Sequence, residues 1–392
     1  MLRRLFLFVA VLSALAQGQV APPSDTRPYV LLISIDGFRY DYASKHGAPN
    51  LIKFGDQGVR AEALMPAFPS TTFPNHLSII TGLYPEHHGI IENVFFDLGR
   101  QAIFRYNRPE TGTDGSWYRG MPLWVLAERQ GVRTASFFWP GADAEIAGVR
   151  PRDYRRYEEA IPNAERARQV IDWFARPESV RPHFVTLYFS DVDSMGHSYG
   201  PDAEQTRKAV NDIDALLGKL FEGIRATGTP VNIFVVSDHG MIHPGELVRV
   251  GAQAEFVGFN IATFAGTDLR LFTSDAKLAQ DTVTKLNGRD ARFQARALDG
   301  QVLITPIANN YLYIEQADVK PPTPNMGVHG FDARQFPEMR GIFYGQGPDL
   351  QSKMILPRFD NVDIYPLIAK LLRLTPPTQL DGKIDTLVKI LK

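Results

Sequence analysis

Three short segments of the chain are apolar without interruption, which is the pattern of strands buried on both faces of a sheet. These segments are Tyr29–Ile35, Phe184–Phe189 and residues 233–236, whereas a half-exposed strand would alternate polar and apolar residues. Apolar residues at helical spacing lie between them and predict helices. The predicted helices cover residues 49–55, 77–81, 121–130, 163–174 and 204–225. Strands that alternate with helices predict an α/β fold with a central, mostly parallel sheet flanked by helices.

A second group of patterns separates the last of these strands from the C-terminal region. Between residues of about 250 and 328, strand patterns at 269–272 and 301–305 enclose a helical pattern at 274–286. We expect a smaller lobe inserted into the sheet domain here. A closing helix is predicted at 362–374, so residues 29–392 are predicted to form a single domain.

The N-terminus has the pattern of a secretory signal. Arg3 and Arg4 precede an apolar stretch from Leu5 to Leu15, and the stretch ends at the cleavage-like sequence Ala14-Leu15-Ala16. We therefore expect a signal peptide over residues 1–16 and a flexible segment over 17–28. The stretch is too short to span a bilayer comfortably, so no stable membrane anchor is expected. The mature protein is predicted to be periplasmic or secreted.

Composition narrows the choice of partners. The chain has 44% hydrophobic and 22% charged residues, the proportions of a globular protein, and its net charge is -1. A near-neutral chain without a basic stripe gives no electrostatic argument for binding long nucleic acids. The chain has no cysteine, so export would not add disulfides to its stability. We expect a small-molecule substrate.

Carboxylates and histidines follow the three buried strands. Taken singly, each would be read as a helix cap, a turn residue or a core residue. Together they would meet at one edge of the sheet, because open α/β sheets place their sites at the carboxyl ends of the strands. The candidate metal ligands are Asp36, Asp193, His197, Asp238, His239 and His329. Three carboxylates and three imidazoles suit two divalent ions such as zinc.

Thr72 is the candidate nucleophile. Pro74 favours the first turn of a helix and predicts that a helix begins just after Thr72. A helix N-terminus presents free N–H groups and a positive dipole to a phosphate. Thr72 could be only the N-cap of this helix, or its hydroxyl could also attack a bound phosphoryl group if a metal lowers its pKa.

The motifs around these residues closely resemble those of the nucleotide pyrophosphatase/phosphodiesterases, which belong to the alkaline phosphatase superfamily. The matching motifs are Pro69-Ser70-Thr71-Thr72-Phe73-Pro74-Asn75-His76, Trp139-Pro140-Gly141, Asp193 to Pro201, Ser237-Asp238-His239-Gly240-Met241 and His329-Gly330-Phe331-Asp332. The similarity runs from about Tyr29 to the C-terminus and indicates a compact bacterial-type member. It implies an alkaline phosphatase-like fold, two Zn²⁺ ions and release of nucleoside 5′-monophosphates from nucleotide diester or pyrophosphate bonds.

The resemblance also implies a role for each residue. One zinc, which binds the substrate and later activates water, is implied at Asp193, His197 and His329. The other zinc is implied at Asp36, Asp238, His239 and the Thr72 oxygen. Thr72 would form a covalent phospho-threonine intermediate, while the Asn93 amide and the Phe73 N–H bind a non-bridging oxygen. Phe73 and Tyr188 match the aromatic pair that sandwiches the nucleobase. The back of that pocket is matched by Trp139, Pro140 and Asp143.

Other substrates stay open at this point. Val94 stands where several animal members have a lysine, which puts contacts to distal phosphates in doubt. Some relatives cleave choline lipids, so a lysophospholipid or glycerophosphodiester substrate is an alternative. A phosphomonoesterase would typically use a Lys-x-Arg motif, which the chain lacks. An inactive binding protein would be expected to have lost a metal ligand, and all seven positions are filled.

Overall fold

A computed structural model describes residues 26–392, in which strands and helices alternate along most of the chain. The strands are β1 (Tyr29–Ile35), β2 (Val59–Ala61), β3 (Leu64–Met65), β4 (Val94–Asp97), β5 (Ala102–Arg105), β6 (Thr134–Phe137), β7 (Asp153–Arg155), β8 (Phe184–Phe189), β9 (Val231–Val236), β10 (Leu247–Ala252), β11 (Asn260–Ile261), β12 (Ala265–Gly266), β13 (Leu269–Phe272), β14 (Phe293–Leu298), β15 (Gln301–Pro306), β16 (Tyr311–Glu315), β17 (Phe343–Gln346), β18 (Met354–Leu356) and β19 (Phe359–Asp360). The α-helices are α1 (Tyr42–His46), α2 (Pro49–Gln57), α3 (Thr72–Thr81), α4 (Pro85–His88), α5 (Pro109–Gly112), α6 (Leu123–Arg129), α7 (Asn163–Phe174), α8 (Asp191–Tyr199), α9 (Glu204–Ala226), α10 (Ala276–Asn287) and α11 (Ile364–Leu371). The predicted signal peptide (1–16) lies outside the described residues, as does most of the predicted flexible segment (17–28).

The central sheet has eight strands in the order β18-β2-β17-β9-β1-β8-β6-β7. At its centre, β1 pairs in parallel with both β8 and β9. The strands β6 and β7 continue the parallel arrangement, and β17 pairs antiparallel with β9. The predicted α/β fold with a mostly parallel central sheet is therefore confirmed, and the three strands predicted as buried are the three at its centre.

Alternate residues of the central strands enter two separate hydrophobic clusters, one on each face of the sheet. In β1, Val30 and Leu32 pack into the cluster that also contains Trp124 and Tyr365, whereas Leu31 and Ile33 pack into the other cluster. All seven residues of β1 are buried. Burial on both faces explains why these strands are apolar throughout instead of alternating.

Residues 260–306 contain a second, antiparallel sheet in the order β11-β13-β15-β14. The helix α10 accompanies this sheet, and together they enclose a separate hydrophobic cluster that includes Leu269, Val302 and Leu286. The strand and helical patterns seen in the sequence here are β13, β15 and α10. We refer to this sheet, α10, β10, β12 and β16 as the inserted lobe; that they form a separate lobe, with limits at about 250 and 328, stays a prediction.

Two local features differ from the expectations. The closing helix α11 is shorter than predicted, and a 3-10 turn at Asn361–Asp363 precedes it. The hairpin of β4 and β5 was not predicted, because its short strands carry no long apolar run. No helix within residues 26–392 is both long and apolar enough to cross a membrane.

Candidate active site

The carboxyl ends of β1, β8 and β9 bring the predicted acidic residues to one place. Asp36 follows β1, and its N–H donates to the Phe189 carbonyl at the end of β8 (2.9 Å). The next residue, Gly37, has φ +67°, and its N–H donates to Asp238 Oδ1 (3.2 Å). A Cβ at Gly37 would lie 2.9 Å from the Asp193 backbone. A glycine is therefore needed here for both the positive φ and the close approach.

The structure brings six of the seven candidate ligands, all except Thr72, into two adjoining groups. In the first, His197 Nε2 lies 3.4 Å from Asp193 Oδ1 and 3.1 Å from His329 Nε2. His329 Nε2 in turn lies 3.6 Å from Asp193 Oδ1. In the second, His239 Nε2 lies 3.4 Å from Asp36 Oδ1 and 3.1 Å from Asp238 Oδ2.

The rings of His239 and His329 stack with their centroids 3.7 Å apart, so the two groups share a wall. Asp193 and His197, which are four positions apart, lie about one turn apart on α8. The assignment of particular ligands to particular ions stays a prediction.

Hydrogen bonds fix the orientation of the three candidate histidine ligands. Nδ1 of His197 contacts the Gly327 carbonyl (2.8 Å), and Nδ1 of His239 contacts the Gly240 carbonyl (2.9 Å). Nδ1 of His329 contacts the Ser70 carbonyl (2.9 Å). Because a carbonyl only accepts, each Nδ1 carries a hydrogen and each Nε2 lone pair faces the centre. This arrangement is the one that holds histidine ligands in metal sites.

The electrostatics of the cluster also fit divalent cations. Burial and the nearby Asp238 and Asp193 carboxylates raise the pKa of Asp36 well above its ordinary value. Burial lowers the pKa of His239, but the Asp238 and Asp193 carboxylates and the Gly240 carbonyl together raise it, so that the net shift is upward. Asp36 Oδ1, Asp193 Oδ1 and Asp238 Oδ2 are buried without a hydrogen-bond partner. Buried like charges that lack donors require a compensating cation, so these residues fit a two-metal site.

Thr72 begins helix α3 beside this cluster. Its Oγ1 lies 3.5 Å from His239 Nε2. The N-cap of α3 is Thr71, in an extended conformation, so Thr72 is the first helical residue and Pro74 the third. The expectation that the helix starts after Thr72, with Thr72 as a possible N-cap, is wrong by one residue. The hydroxyl of Thr72 makes no capping bond and stays directed at the metal-ligand cluster.

Asn93 lies against the start of the same helix. The Phe73 N–H donates to Asn93 Oδ1 at 2.9 Å. The Phe73 N–H, one of the two donors predicted to bind a phosphoryl oxygen, is therefore occupied by the side-chain oxygen of Asn93, the residue that carries the other donor. The Asn93 side-chain N–H₂ group is the donor that remains for a substrate oxygen.

The contacts of Tyr188 do not support its predicted role in stacking a base. Its side chain is buried, with 7% of its surface exposed, and its hydroxyl donates to Asp36 Oδ2. The His76 and Tyr157 rings pack against it in T-shaped geometry, with centroids 5.2 and 6.3 Å away. A ring with so little exposed surface offers no open face to a flat ligand, and its hydroxyl is a hydrogen-bond donor to a candidate metal ligand.

Two tyrosines that the sequence analysis missed lie at the entrance of the site. Tyr157 is 45% exposed and lies 6.3 Å from the Tyr188 ring. Tyr106 is 42% exposed and lies 5.0 Å from the Phe73 ring. Burial and the charges of Asp36, Asp193 and Tyr157 raise the pKa of Tyr106. We call Phe73, Tyr106 and Tyr157 the aromatic rim. In the sequence, Tyr157 follows Asp143 by 14 positions and lies outside any apolar run.

The residues predicted for the back of the base pocket lie behind this rim. Asp143 Oδ2 accepts the Tyr157 N–H at 3.3 Å, which ties the two residues together. Pro140 is buried. Trp139 is 2% exposed and packs edge-on against His76 at 5.1 Å. These are the contacts of a core residue, so Trp139 packs behind the metal-ligand cluster.

Comparison with known proteins places this fold and cluster in a family. The model for the family described as "Type I phosphodiesterase / nucleotide pyrophosphatase" matches residues 30–295. The chain therefore belongs to the type I phosphodiesterase/nucleotide pyrophosphatase family. It is 33% identical to human ectonucleotide pyrophosphatase/phosphodiesterase family member 1 over 91% of this chain and 41% of that protein.

Two further relatives show how much of a family member this chain represents. It is 32% identical to a venom phosphodiesterase of Crotalus durissus collilineatus over 93% of this chain and 46% of that protein. It is 30% identical to a pyrophosphatase/phosphodiesterase of Schizosaccharomyces pombe over 95% of this chain and 82% of that protein. The chain thus spans less than half the length of the human and snake relatives.

A solved structure shares the fold. Murine ectonucleotide pyrophosphatase/phosphodiesterase 5 superposes with a TM-score of 0.84 at 24% identity, over 93% of this chain and all of that chain. A second structure of that murine protein is an inactive threonine-to-alanine variant in complex with AMP, and it superposes with a TM-score of 0.83. At this identity the similarity establishes the alkaline phosphatase-like fold alone.

Proposed function

We propose that this protein hydrolyses phosphodiester and pyrophosphate bonds of nucleotides and releases nucleoside 5′-monophosphates. The observation that carries the proposal is the buried cluster of three carboxylates and three imidazoles beside the Thr72 hydroxyl. Family membership supports the reaction class. We further propose that residues 29–392 form one catalytic domain that acts in a periplasm or outside the cell.

The chain's own residues supply the nucleophile and its surroundings. The Thr72 oxygen forms a bond to phosphorus while the bond from phosphorus to the leaving oxygen breaks. The threonine proton passes to solvent, and the leaving group departs as an anion or takes up a proton from solvent. Water then attacks the phospho-threonine, which restores the hydroxyl and releases the monoester. Two divalent ions, proposed to be Zn²⁺, would supply charge neutralisation at phosphorus and a lowered pKa for the attacking hydroxyl. The Asn93 side-chain N–H₂ group donates to a non-bridging oxygen.

The aromatic rim supports a nucleotide as substrate. Tyr157 offers exposed ring surface beside the cluster and Phe73 is half-buried there, and bases stack on such rings with little demand on their identity. Asp143 lies next to Tyr157 and offers an acceptor toward the edge of a base. The AMP bound to the murine relative supports the same class of ligand for this chain.

The test is hydrolysis of thymidine 5′-(4-nitrophenyl phosphate) by the purified, zinc-loaded chain. We expect thymidine 5′-monophosphate as the product, loss of most of the turnover in Thr72→Ala, and partial activity in Thr72→Ser. The metal content of Thr72→Ala is measured beside its activity and is expected to stay near that of the parent. Near-normal turnover in Thr72→Ala would remove Thr72 from the reaction.

The same preparation distinguishes the other substrate classes. A simple monoester such as 4-nitrophenyl phosphate and a choline phosphodiester such as glycerophosphocholine or a lysophosphatidylcholine are assayed in parallel. A marked preference for either of them over the thymidine diester would overturn the nucleotide proposal. Loss of activity in chelator, with better recovery by zinc than by magnesium, is expected because imidazole ligands favour zinc.

A further inference from the structure

A second pocket opens beside the metal-ligand cluster, on the side of the inserted lobe. It has a volume of about 240 Å³. His197, His329 and Asn93 line it where it meets the cluster, and Asp268 and Arg270 of the lobe line it farther away. We call it the lobe-side pocket. The three residues of the aromatic rim do not line it.

The reaction geometry gives this pocket a role. If the nucleoside of the substrate contacts the aromatic rim, the group on the other side of phosphorus needs a separate space. The lobe-side pocket meets the cluster at two residues. One is His197, a predicted ligand of the substrate-binding ion, and the other is Asn93, whose side-chain N–H₂ group remains free to donate to a substrate oxygen. A leaving group directed away from the rim would enter it. This step rests on the proposed function.

The charges that line the lobe-side pocket are mainly negative. Arg270 is the only lysine or arginine among the described residues that line it. Its Nε donates to Asp268 Oδ2 at 3.0 Å and its Nη1 to Gln301 Oε1 at 3.1 Å, so its charge is already paired. Arg270 and Asp268 are each 8% exposed.

Glu92 adds a second carboxylate to the same wall. Its Oε1 accepts the Asn93 N–H at 2.8 Å, and it interacts electrostatically with both Asp268 and Arg270. One paired guanidinium therefore faces two carboxylates. Val94 also lines the pocket and contributes only an apolar surface.

We propose that the lobe-side pocket receives the leaving group and selects leaving groups of low charge over polyphosphate. A pyrophosphate leaving group would bring several negative charges to a wall that has no unpaired cation and one unneutralised carboxylate. An alcohol leaving group, such as a nucleoside or an aryl alcohol, carries no charge in the bound substrate and at most one as it departs. The preferred substrates are then nucleoside 5′-phosphodiesters with an uncharged alcohol on the far side, and nucleoside triphosphates are the poorer ones.

The size of the pocket does not produce this selectivity. A nitrophenol and a pyrophosphate have nearly the same number of heavy atoms, so one fits about as well as the other. The two differ mainly in charge, which makes them a matched pair of leaving groups.

The first experiment compares thymidine 5′-(4-nitrophenyl phosphate) with thymidine triphosphate. Intrinsic reactivity differs between the two, so the quantity of interest is the change in their kcat/KM ratio between parent and variants. Glu92→Gln removes a charge, and Val94→Lys adds the opposite charge at a partly exposed position. Each is expected to shift the ratio toward the triphosphate, by about fivefold or more for Glu92→Gln at about pH 8.5 and by about threefold to fivefold for Val94→Lys.

The control variant is Asp212→Asn, which removes an exposed carboxylate on α9 outside the pocket lining. It is expected to leave the ratio unchanged. An equal shift in this variant would mean that net charge alone produces the effect and would overturn the proposal. Circular dichroism and metal content confirm that each variant is folded and loaded.

A binding measurement on the Thr72→Ala variant removes catalysis from the comparison. Calorimetry with thymidine monophosphate and thymidine triphosphate measures how much the two extra phosphates contribute to the binding affinity. We expect no gain in affinity for the triphosphate with the parent lining, and a gain of about threefold to fivefold when Val94→Lys is added.

The outcomes separate the two proposals. If the parent hydrolyses neither substrate, the proposed function fails. If it hydrolyses both but the ratio is the same in parent, Glu92→Gln and Val94→Lys, the leaving-group selectivity is overturned while the proposed function stands. Tighter binding of triphosphate than of monophosphate by Thr72→Ala with the parent lining would also overturn it.

Discussion

Tyr157 offers the sharpest test of where a nucleobase binds. Its side chain is 45% exposed, and its hydroxyl makes only a long contact of 3.4 Å with Ser190 Oγ. Most of what Tyr157 can contribute is therefore ring surface. Stacking of a base on an aromatic ring is worth about 1–3 kcal/mol, so Tyr157→Ala should lower kcat/KM for a nucleotide diester by about 5- to 150-fold. Tyr157→Phe keeps the ring and should retain nearly all of the activity.

Tyr188 is the matched comparison, because its ring is covered and its hydroxyl donates to Asp36. Tyr188→Phe removes a hydrogen bond to a carboxylate, an interaction worth about 1.5–3 kcal/mol. The change acts on a candidate metal ligand and not on the base. It should therefore alter the hydrolysis of every phosphodiester by a similar factor.

The assay uses two substrates on each variant: thymidine 5′-(4-nitrophenyl phosphate) and bis(4-nitrophenyl) phosphate, which has no base. Tyr157→Ala should reduce only the first rate strongly, and Tyr188→Phe should reduce both alike. The reasoning is refuted if Tyr157→Ala lowers both rates equally, or if Tyr188→Phe discriminates between the two substrates.

Three further predictions follow from buried groups of the site. His239→Ala should lose more bound metal than His197→Ala, since the His239 side chain is wholly buried between two carboxylates and that of His197 is 28% exposed; equal metal content by mass spectrometry would contradict this. Ser34→Ala should lower the free energy of unfolding by about 1–3 kcal/mol, because it leaves buried His76 Nε2 without the Ser34 hydroxyl at 2.8 Å; an unchanged denaturant midpoint would count against that bond. Burial and the Asp268 carboxylate raise the pKa of Glu92 from 4.5 to about 7. Glu92 therefore binds a proton more tightly in the folded protein than in the unfolded chain. The stability that this proton contributes is lost as pH rises from 4.5 through 7. Glu92→Gln should therefore stabilise the chain more at pH 8 than at pH 5, by at most about 3 kcal/mol, and an equal Tm shift at both pH values would refute the assignment.

Much of the fold and of the metal cluster could be predicted because both depend on local sequence patterns. An uninterrupted apolar run such as Tyr29–Ile35 has few structural solutions other than a strand covered on both faces. Once three such strands are parallel neighbours, the residues that follow them share an edge of the sheet. Asp36, Asp193 and Asp238 therefore meet without any need to know the packing of individual side chains.

The aromatic residues of the site could not be assigned in the same way. Tyr188 lies in a buried strand and Tyr157 in an irregular segment, and the resemblance pointed to Tyr188, which has little exposed surface. Which of two tyrosines exposes its face depends on what packs against it, here His76 against Tyr188. A single sequence shows the presence of an aromatic ring but not the solvent exposure of its face.

The charge of the lobe-side pocket is a still less local property. Glu92 precedes the β4–β5 hairpin, whereas Asp268 and Arg270 lie at the start of β13, in the inserted lobe. In the sequence, Arg270 counts as a free positive charge that could bind a polyphosphate. Only the contact between its guanidinium and Asp268, at 3.0 Å, shows that this charge is already paired. The effective charge offered to a leaving group thus depends on the Arg270–Asp268 ion pair and on Glu92, which lies almost 180 positions away in the sequence and interacts electrostatically with both. For this reason Val94, and not Arg270, is the position where one added cation should change the substrate preference.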